Sequence, residues 1–449
     1  MSFRSRATAS VFCVVALAFA TQAQAQSPVQ AQAPAPAQTP VQTSTPAAEQ
    51  PPADEFNALR APAAAGDAQA QFSLGDLYYR GAGVAQDYGQ ALIWFRKSAA
   101  QGYAPALNQL GIMQHHKWGL PRDYKGAVND YRMAANKGYA PAEYNLAAMF
   151  KAGLGVKRDY KQAFEWYRKA ADQNFAAAEE EVGYFYQWGW GVKSDYAQAL
   201  VWYNRGAGHG DSDAESQLGF MAEKGLGEPQ NFTEAFSWYY KSASHGNDEA
   251  MENIGYNFQN GVGVAVDYAQ ARSWLYKAAA LENSDAENQL GWMYQYGQGV
   301  QTDNSRAMSW YNLSADQGNT RGQNNLESLK EDLEDLDGDD WESAIQPVND
   351  PMIQMVQRRA RIRDLRAQIT GLETDALAED NSADDLEHMG NNGKNKNGGI
   401  AKAMNALGTV VGQKPRLDAS KSREQAARLQ QELDGLEFQD KFSPNVLGP

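Results

Sequence analysis

The chain has 449 residues, a formal net charge of −15 at pH 7 and a single cysteine. This acidic balance argues against nucleic acid and anionic membrane surfaces as main partners and favours a basic or neutral partner. One cysteine excludes a fold held by internal disulfides, so packing must stabilise the structure.

The beginning of the chain has the pattern of a secretory signal, which we predict over residues 1–25. Basic residues precede an apolar stretch that is too short to span a bilayer, and small residues at 23–25 form a cleavage site. Cys13 lies inside the apolar stretch, so lipid attachment there is not expected. These features predict export to the periplasm, with secretion as the alternative, and no membrane span.

The next two segments differ in composition. Residues 26–53 are rich in Pro, Ala and Gln and predict a disordered linker, because such a composition cannot bury a core. Residues 54–65 predict a single helix that caps the elements after it.

A 36-residue period then runs from Gly66 to Gly318 without insertion or deletion. Tryptophan marks one phase of this period in six repeats. Self-similarity at a period of about 20–50 residues indicates a stacked array in which each unit buries its apolar face against its neighbours. The predicted repeats span residues 66–329, with bounds 66–101, 102–137, 138–173, 174–209, 210–245, 246–281, 282–317 and, for a partial repeat, 318–329.

Each repeat predicts two helices. In the first repeat, apolar residues at helical spacing lead to a glycine turn at residues 81–83, and Asp87 opens a second helix with Gln90 placed as in a capping box. A glycine, or Asn174 in one repeat, stands where each second helix ends and permits a left-handed conformation. Glu282 is the exception at this position and predicts a different exit from its repeat.

These recurring residues resemble the Sel1-like repeat, a relative of the tetratricopeptide repeat. The resemblance is carried in the first repeat by the run Gly75-x-x-Tyr78-x-x-Gly81-x-Gly83-Val84-x-x-Asp87-Tyr88-x-x-Ala91-x-x-Trp94. With the helix pattern, it implies an all-α fold: a right-handed α-solenoid of Sel1-like helix pairs with a helical C-terminal tail. The resemblance also implies an adaptor, because such proteins commonly act in envelope assembly, signalling and host contact.

The segments after the repeats predict a helical tail. Residues 330–350 predict an acidic linker, and residues 351–380 and 416–438 predict helices with apolar residues three and four apart. Between them, 381–415 predicts a flexible Asn/Gly-rich segment with a short amphipathic helix, and 439–449 predicts a disordered end. The two longer helices either form a hairpin within the chain or join copies of it as a coiled coil.

The sequence shows no constellation typical of an enzyme: no nucleophile with its base, no phosphate loop and no ligands at metal spacing. His115 and His116 are neighbours on a helix and point apart. The acidic run at 335–342 is shorter than an EF-hand loop. A metal at the histidines and calcium at the acidic run are alternatives to an ordinary polar surface. We predict no catalytic residues, no cofactor and no metal.

The candidate binding site consists of positions that vary between repeats. Positions 73, 76 and 80 of the first repeat, at spacing i, i+3 and i+7, share one face of the first helix. In later repeats the equivalent and neighbouring positions carry the aromatic residues Tyr184, Trp188, Phe220, Tyr256, Trp292 and Tyr296. These side chains are either partly buried between units or exposed as a row of anchors for a peptide.

The sequence therefore predicts a non-enzymatic exported scaffold that binds a protein or peptide partner on the concave face formed by the first helices. The alternative is a protein that binds peptidoglycan or another envelope glycan, because Tyr and Trp rings also stack on sugars. Self-association through the C-terminal helices is a further expectation. Hydrolysis by an unrecognised site is a third class, which no residue pattern supports.

Overall fold

The computed structural model describes residues 53–337, 348–392 and 419–442, and within these ranges all regular structure is helical. The fold is all-α and is an α-solenoid of tandem helix pairs. The predicted signal, almost all of the predicted linker and the short amphipathic helix lie outside the described residues.

The helices follow one another as pairs, in which a first helix is joined to a second by a glycine turn. They are α1 (Ala53–Ala64), α2 (Ala68–Arg80), α3 (Tyr88–Ala100), α4 (Ala104–His116), α5 (Tyr124–Ala135), α6 (Ala140–Ala152), α7 (Tyr160–Asp172), α8 (Ala176–Trp188), α9 (Tyr196–Gly208), α10 (Ser212–Lys224), α11 (Phe232–Ser244), α12 (Asp248–Asn260), α13 (Tyr268–Ala279), α14 (Ser284–Tyr296), α15 (Asn304–Asp316), α16 (Thr320–Asp337), α17 (Pro351–Asn392) and α18 (Ala419–Phe442).

The chain divides into two compact units. Among the described residues, the first unit runs from residue 53 to His115 and from Asp123 to Asp159, and the second consists of His116–Arg122 with the described residues from Tyr160 onwards. Small residues let the paired helices approach: in the second unit Ala199, on the second helix of its pair, is fully buried.

In the first unit, α1 covers the beginning of the repeats. Ala63 of α1 is buried with Leu74 of α2, and the rings of Phe56 and Tyr78 meet edge to face at 5.3 Å. This single helix shields the apolar face of α2, as a neighbouring repeat would do inside the array.

The second helices begin as the capping pattern predicts. The Asp87 carboxylate accepts a hydrogen bond from the backbone amide of Gln90 at 2.9 Å. Asp195 does the same for Gln198 at 3.0 Å. The side chain occupies an amide that the first turn of a helix leaves unpaired, so each second helix starts at the same phase.

The prediction of a different exit at Glu282 is wrong. Glu282 has φ 63°, the left-handed conformation that the glycines at this position adopt. The Glu282 side chain has a different role, because its carboxylate pairs with Arg363 of α17. The Arg359 guanidinium donates to the carbonyl oxygen of Ala280 at 2.8 Å. A side chain at this exit therefore helps to dock the C-terminal helix.

The acidic segment after the repeats is partly helical, which corrects the predicted linker at its start. Helix α16 continues to Asp337 because Leu329 and Leu333, one turn apart, are both buried. They join a core that also contains Ile353 and Val356 from the start of α17. The end of the array is thus covered by apolar residues of this chain.

Helices α17 and α18 form a hairpin within the chain. Leu365 of α17 packs in one apolar cluster with Leu433 of α18. Arg361 pairs with Glu432 at 2.8 Å on the flank of the cluster. Helix α17 extends to Asn392, so the start of the segment predicted to be flexible is helical, and α18 extends to Phe442, into the end predicted to be disordered. Because the apolar positions pair internally, the hairpin needs no second copy, and self-association remains a prediction.

Across the described ranges, every helix is either too short or too polar to span a bilayer.

Candidate functional site

The first helices of the second unit have a local reason to present aromatic side chains outward. Gly219 of α10 lies against the ring of Tyr239, so close that a Cβ atom there would be 2.7 Å from a ring carbon. Phe220 follows directly and is rotated by about 100° around the helix, away from that contact. The same glycine–aromatic step occurs on the first helices of the flanking repeats, at Gly183, Gly255 and Gly291.

The six predicted site residues, here called the aromatic stripe, lie on α8, α10, α12 and α14: Tyr184, Trp188, Phe220, Tyr256, Trp292 and Tyr296. Four of them are exposed, by fractions from 40% for Trp292 to 53% for Tyr296. Tyr184 and Phe220 are half-buried. The structure therefore favours the exposed interpretation for most of the stripe and the partly buried one for two members.

The ends of the aromatic stripe are ring clusters. The centroids of Trp292 and Tyr296, one helical turn apart on α14, are separated by 4.2 Å with a tilt of 44°. At the other end, Tyr184 lies 6.0 Å from Trp188 and 5.1 Å from Trp190. Trp190 comes from the glycine turn, is half-buried and stacks on the ring of Tyr160 at 5.1 Å. These contacts hold the exposed rings in place and reduce the entropy lost on binding.

Sequence reasoning missed a second row on the same helix face. Asp213, Glu249 and Asp285, here called the acid row, are exposed near the beginning of α10, α12 and α14. Each stands seven residues before a member of the aromatic stripe, which places it on the same face about two turns earlier. The signal was present in the sequence, since these carboxylates recur at the 36-residue period.

The carboxylates on this face repel one another. Partial burial, and then the charges of Asp211 and Asp248, raise the pKa of Asp213 to about 6. Burial, and then the charges of Asp285 and other carboxylates, raise the pKa of Glu252 to about 8. The potential at this face is therefore negative, and the Asp213 and Glu252 carboxylates bind protons more tightly than free carboxylates do.

Amide side chains join neighbouring first helices between the two rows. Asn325 of α16 donates to Asn288 of α14 at 2.8 Å. Gln289 of α14 donates to the carboxylate of Glu252 on α12. These bonds connect α12, α14 and α16 side by side, so that the face continues from one repeat to the next.

The comparisons with known proteins identify the repeats. The family described as "Sel1 repeat" matches seven consecutive stretches of this chain: residues 68–103, 104–139, 140–175, 176–211, 212–247, 248–283 and 284–319. The chain belongs to the Sel1 repeat family.

Two solved structures agree with this assignment. A protective antigen present in uropathogenic Escherichia coli strains, which displays an SLR fold, is 27% identical to this Sel1 repeat chain; the alignment covers 87% of this chain and 96% of that one, with a TM-score of 0.53. A Sel1 repeat protein from Oxalobacter formigenes is 33% identical, with coverage of 61% and 79% and a TM-score of 0.50. No curated protein matches the chain.

Other charged groups of the Sel1 repeats serve packing. The Glu179 side chain is fully buried and pairs with Arg205 at 2.9 Å and with His209 at 2.7 Å. In the next repeat, Glu215 is paired in the same way by the basic residues at the end of its second helix. Each group joins the first and second helices of one Sel1 repeat, so these carboxylates are structural contacts.

The histidines weighed as metal ligands take part in ring packing. His115 is buried edge to face against Tyr124 at 5.4 Å, and His116 stacks on Trp118 at 4.5 Å. Burial, and then the charge of Arg122, lower the pKa of His116. Among the described residues, no three metal-ligating side chains form a cluster. Most of the acidic run at 335–342 lies outside them, and the absence of catalytic, cofactor and metal sites stays a prediction.

Proposed function

We propose that this chain is a non-enzymatic scaffold that binds an extended segment of a partner protein along the aromatic stripe. Sel1 repeats commonly mediate protein–protein interaction. The observation that carries the proposal is that Tyr256 and Trp292, at the same position of α12 and α14, are both exposed. Large aromatic side chains supply much of the binding energy of protein interfaces when a partner covers them.

The arrangement favours a partner segment that crosses the first helices. The aromatic stripe offers one or two rings per repeat, and packed helices lie about 8–10 Å apart. Crossing four helices therefore spans roughly 30 Å, which an extended chain covers in about nine residues. A short linear segment can reach every member of the stripe.

We place this scaffold in the periplasm, with secretion as the alternative. The proposal is supported by the signal pattern at residues 1–25. It also agrees with the description of one related structure as a protective antigen. In this arrangement, the hairpin of α17 and α18 is available to hold a further partner or a second copy while the stripe is occupied.

The direct test is site-specific photo-cross-linking in the native cell. A photoreactive phenylalanine analogue replaces Tyr256 in one variant and Trp292 in another. The matched control carries it at Tyr240, which is 51% exposed but lies on the second helix α11. We expect the same protein to be captured from positions 256 and 292, and not from 240. Equal capture from all three positions, or none from the first two, would refute the proposed site.

The same experiment addresses the glycan alternative. Exposed rings such as the Trp292–Tyr296 pair can stack on sugar faces as well as on peptide side chains. Recovery of muropeptide or polysaccharide fragments on the cross-linked residue, together with sedimentation of the chain with purified peptidoglycan, would establish glycan binding. Recovery of a polypeptide would support the protein-binding scaffold.

A further inference from the structure

We infer that the segment bound along the aromatic stripe is basic, with arginine or lysine side chains among its apolar anchors. This inference rests on the proposed function and adds the chemistry of the partner. It follows from three features of one helix face: exposed rings, the acid row beside them, and carboxylates close enough to repel one another.

The acid row is exposed on the face that carries the rings. Asp213 accepts a hydrogen bond from the Asn247 amide at 2.7 Å, and Asp285 accepts one from the Asn319 amide at 2.9 Å. These donors are neutral, so they hold the carboxylates in place without cancelling their charge. A cationic contact reaches the row from Arg321, 3.8 Å from Asp285, where both groups are largely exposed and the pair is weak.

The protonation behaviour supports the same view. Burial and the neighbouring carboxylates of Asp285 and Glu249 raise the pKa of Glu252 to about 8, even though Arg321 opposes the shift. Each of the two neighbouring carboxylates outweighs Arg321, so the potential at Glu252 is negative. A guanidinium or ammonium group from a partner would be attracted by this potential.

A second acidic region borders the other end of the face. Asn325 of α16 contacts Asn288 of α14, so these two helices lie in register. Asp332 stands seven residues after Asn325, and Tyr296 stands eight after Asn288, which places both about two turns further along their helices. Asp332 is exposed. Asp332 and the Trp292–Tyr296 ring pair are therefore at about the same height on neighbouring helices.

This combination of rings and carboxylates suits a cation. The ring faces of Trp and Tyr attract arginine and lysine, and a nearby carboxylate adds an ion pair. The chain uses the first of these contacts elsewhere in its own structure, where Lys169 lies 3.6 Å from the ring centroid of Trp166. An acidic segment would meet repulsion along the acid row, and a second copy of this chain carries the same net charge of −15.

The test uses synthetic peptides and the intact chain. Three fluorescently labelled peptides of about nine residues, the length that spans four helices, share a leucine at every third position. The remaining positions combine serine with arginine in one peptide, with glutamine in the second and with glutamate in the third. Fluorescence anisotropy at low and high salt gives each dissociation constant.

We expect the arginine peptide to bind at least about tenfold more tightly than the glutamine peptide, and to lose this advantage in high salt, because the screening length falls from about 10 Å at 0.1 M salt to about 3 Å at 1 M. The triple variant Asp213→Asn, Glu249→Gln and Asp285→Asn should weaken the arginine peptide by about tenfold and leave the glutamine peptide unchanged. Circular dichroism checks that the variant keeps its helices. If the triple variant does not fold, the salt dependence of arginine-peptide binding by the unchanged chain tests the inference instead.

The outcomes separate the two proposals. Equal binding of the glutamine or glutamate peptide, absence of arginine-peptide binding, or binding that salt does not weaken would overturn the inference. The variant Tyr256→Ala/Trp292→Ala tests the stripe itself. If it releases all peptides, the proposed function stands whatever their charge. If it binds the arginine peptide as tightly as the unchanged chain does, peptide binding does not use the stripe and both proposals fail.

Discussion

Replacing Glu252 by glutamine should make the protein more stable at alkaline pH. Glu252 lies on α12, half-buried, and accepts a hydrogen bond from Gln289 of α14. The groups around it are Glu249 on its own helix, Asp285 on α14 and Arg321 on α16. Glutamine keeps the size and the acceptor oxygen but carries no charge at any pH.

The direction of the pKa shift of Glu252 determines whether the protein gains or loses stability as the pH rises. Burial and nearby carboxylates raise the pKa of Glu252 in the folded protein to about 8, above its ordinary value of 4.5. The folded state therefore holds the proton more tightly than the unfolded state does. The contribution to stability is fully present below pH 4.5, declines as the pH rises, and is lost above about pH 8.

The magnitude can be bounded. At about 1.4 kcal/mol per pH unit, the interval from 4.5 to about 8 sets an upper limit of roughly 5 kcal/mol. Solvent reaches part of the Glu252 carboxylate and screens its neighbours, which reduces the expected effect to on the order of 2 kcal/mol. That is a measurable fraction of the 5–15 kcal/mol or so that stabilises most folded proteins.

Urea denaturation followed by circular dichroism at pH 5, 7 and 9 measures this effect. Hydrogen exchange of the α12 and α14 amides, compared between proteins at equal pH, locates it, because repeat arrays open in neighbouring units. The control variant Glu228→Gln changes an exposed loop carboxylate. Glu252→Gln should match the unchanged protein at pH 5 and exceed it at pH 9. Parallel curves from pH 5 to pH 9 would refute the assignment of a buried, repelled carboxylate.

Two further substitutions, with one control, test the packing. Gly219→Ala would place a Cβ atom 2.7 Å from the buried Tyr239 ring, and overpacking should outweigh the gain in helix propensity, with a net loss of roughly 1–2 kcal/mol in calorimetry. Gly208→Ala, which meets no atom within 4 Å, should be neutral or slightly stabilising. Ile353→Ala should loosen the start of α17 by roughly 2–4 kcal/mol, because Ile353 is buried in the core at the end of the array. Limited proteolysis after residue 348 would then accelerate, and an unchanged cleavage rate would show that α17 is held by other contacts.

The helix pairs were predictable because their signals are local. A capping aspartate such as Asp87 needs only the amide of Gln90, three residues away. The Gly219–Phe220 step depends on a packing partner, Tyr239, that keeps a fixed distance along the sequence. Such contacts recur at the same phase of most repeats, so the periodicity itself predicts them.

Glu282 and the acidic segment were misread because their partners lie far away in the chain. Glu282 adopts the left-handed conformation and pairs with Arg363. Helix α16 continues through Leu333, which is buried with residues from the start of α17. Neither contact has a fixed spacing, so no local pattern could predict it.

The sequence by itself determined the repeat family, the helix boundaries set by capping and glycine turns, and which residues share the face of the first helices. Tertiary structure decided that Tyr256, Trp292 and Tyr296 are exposed while Tyr184 is half-buried, because burial depends on what neighbouring helices and turns cover. It also decided that Glu252 lies among other carboxylates, since electrostatic repulsion depends on distances between repeats and not on positions within one.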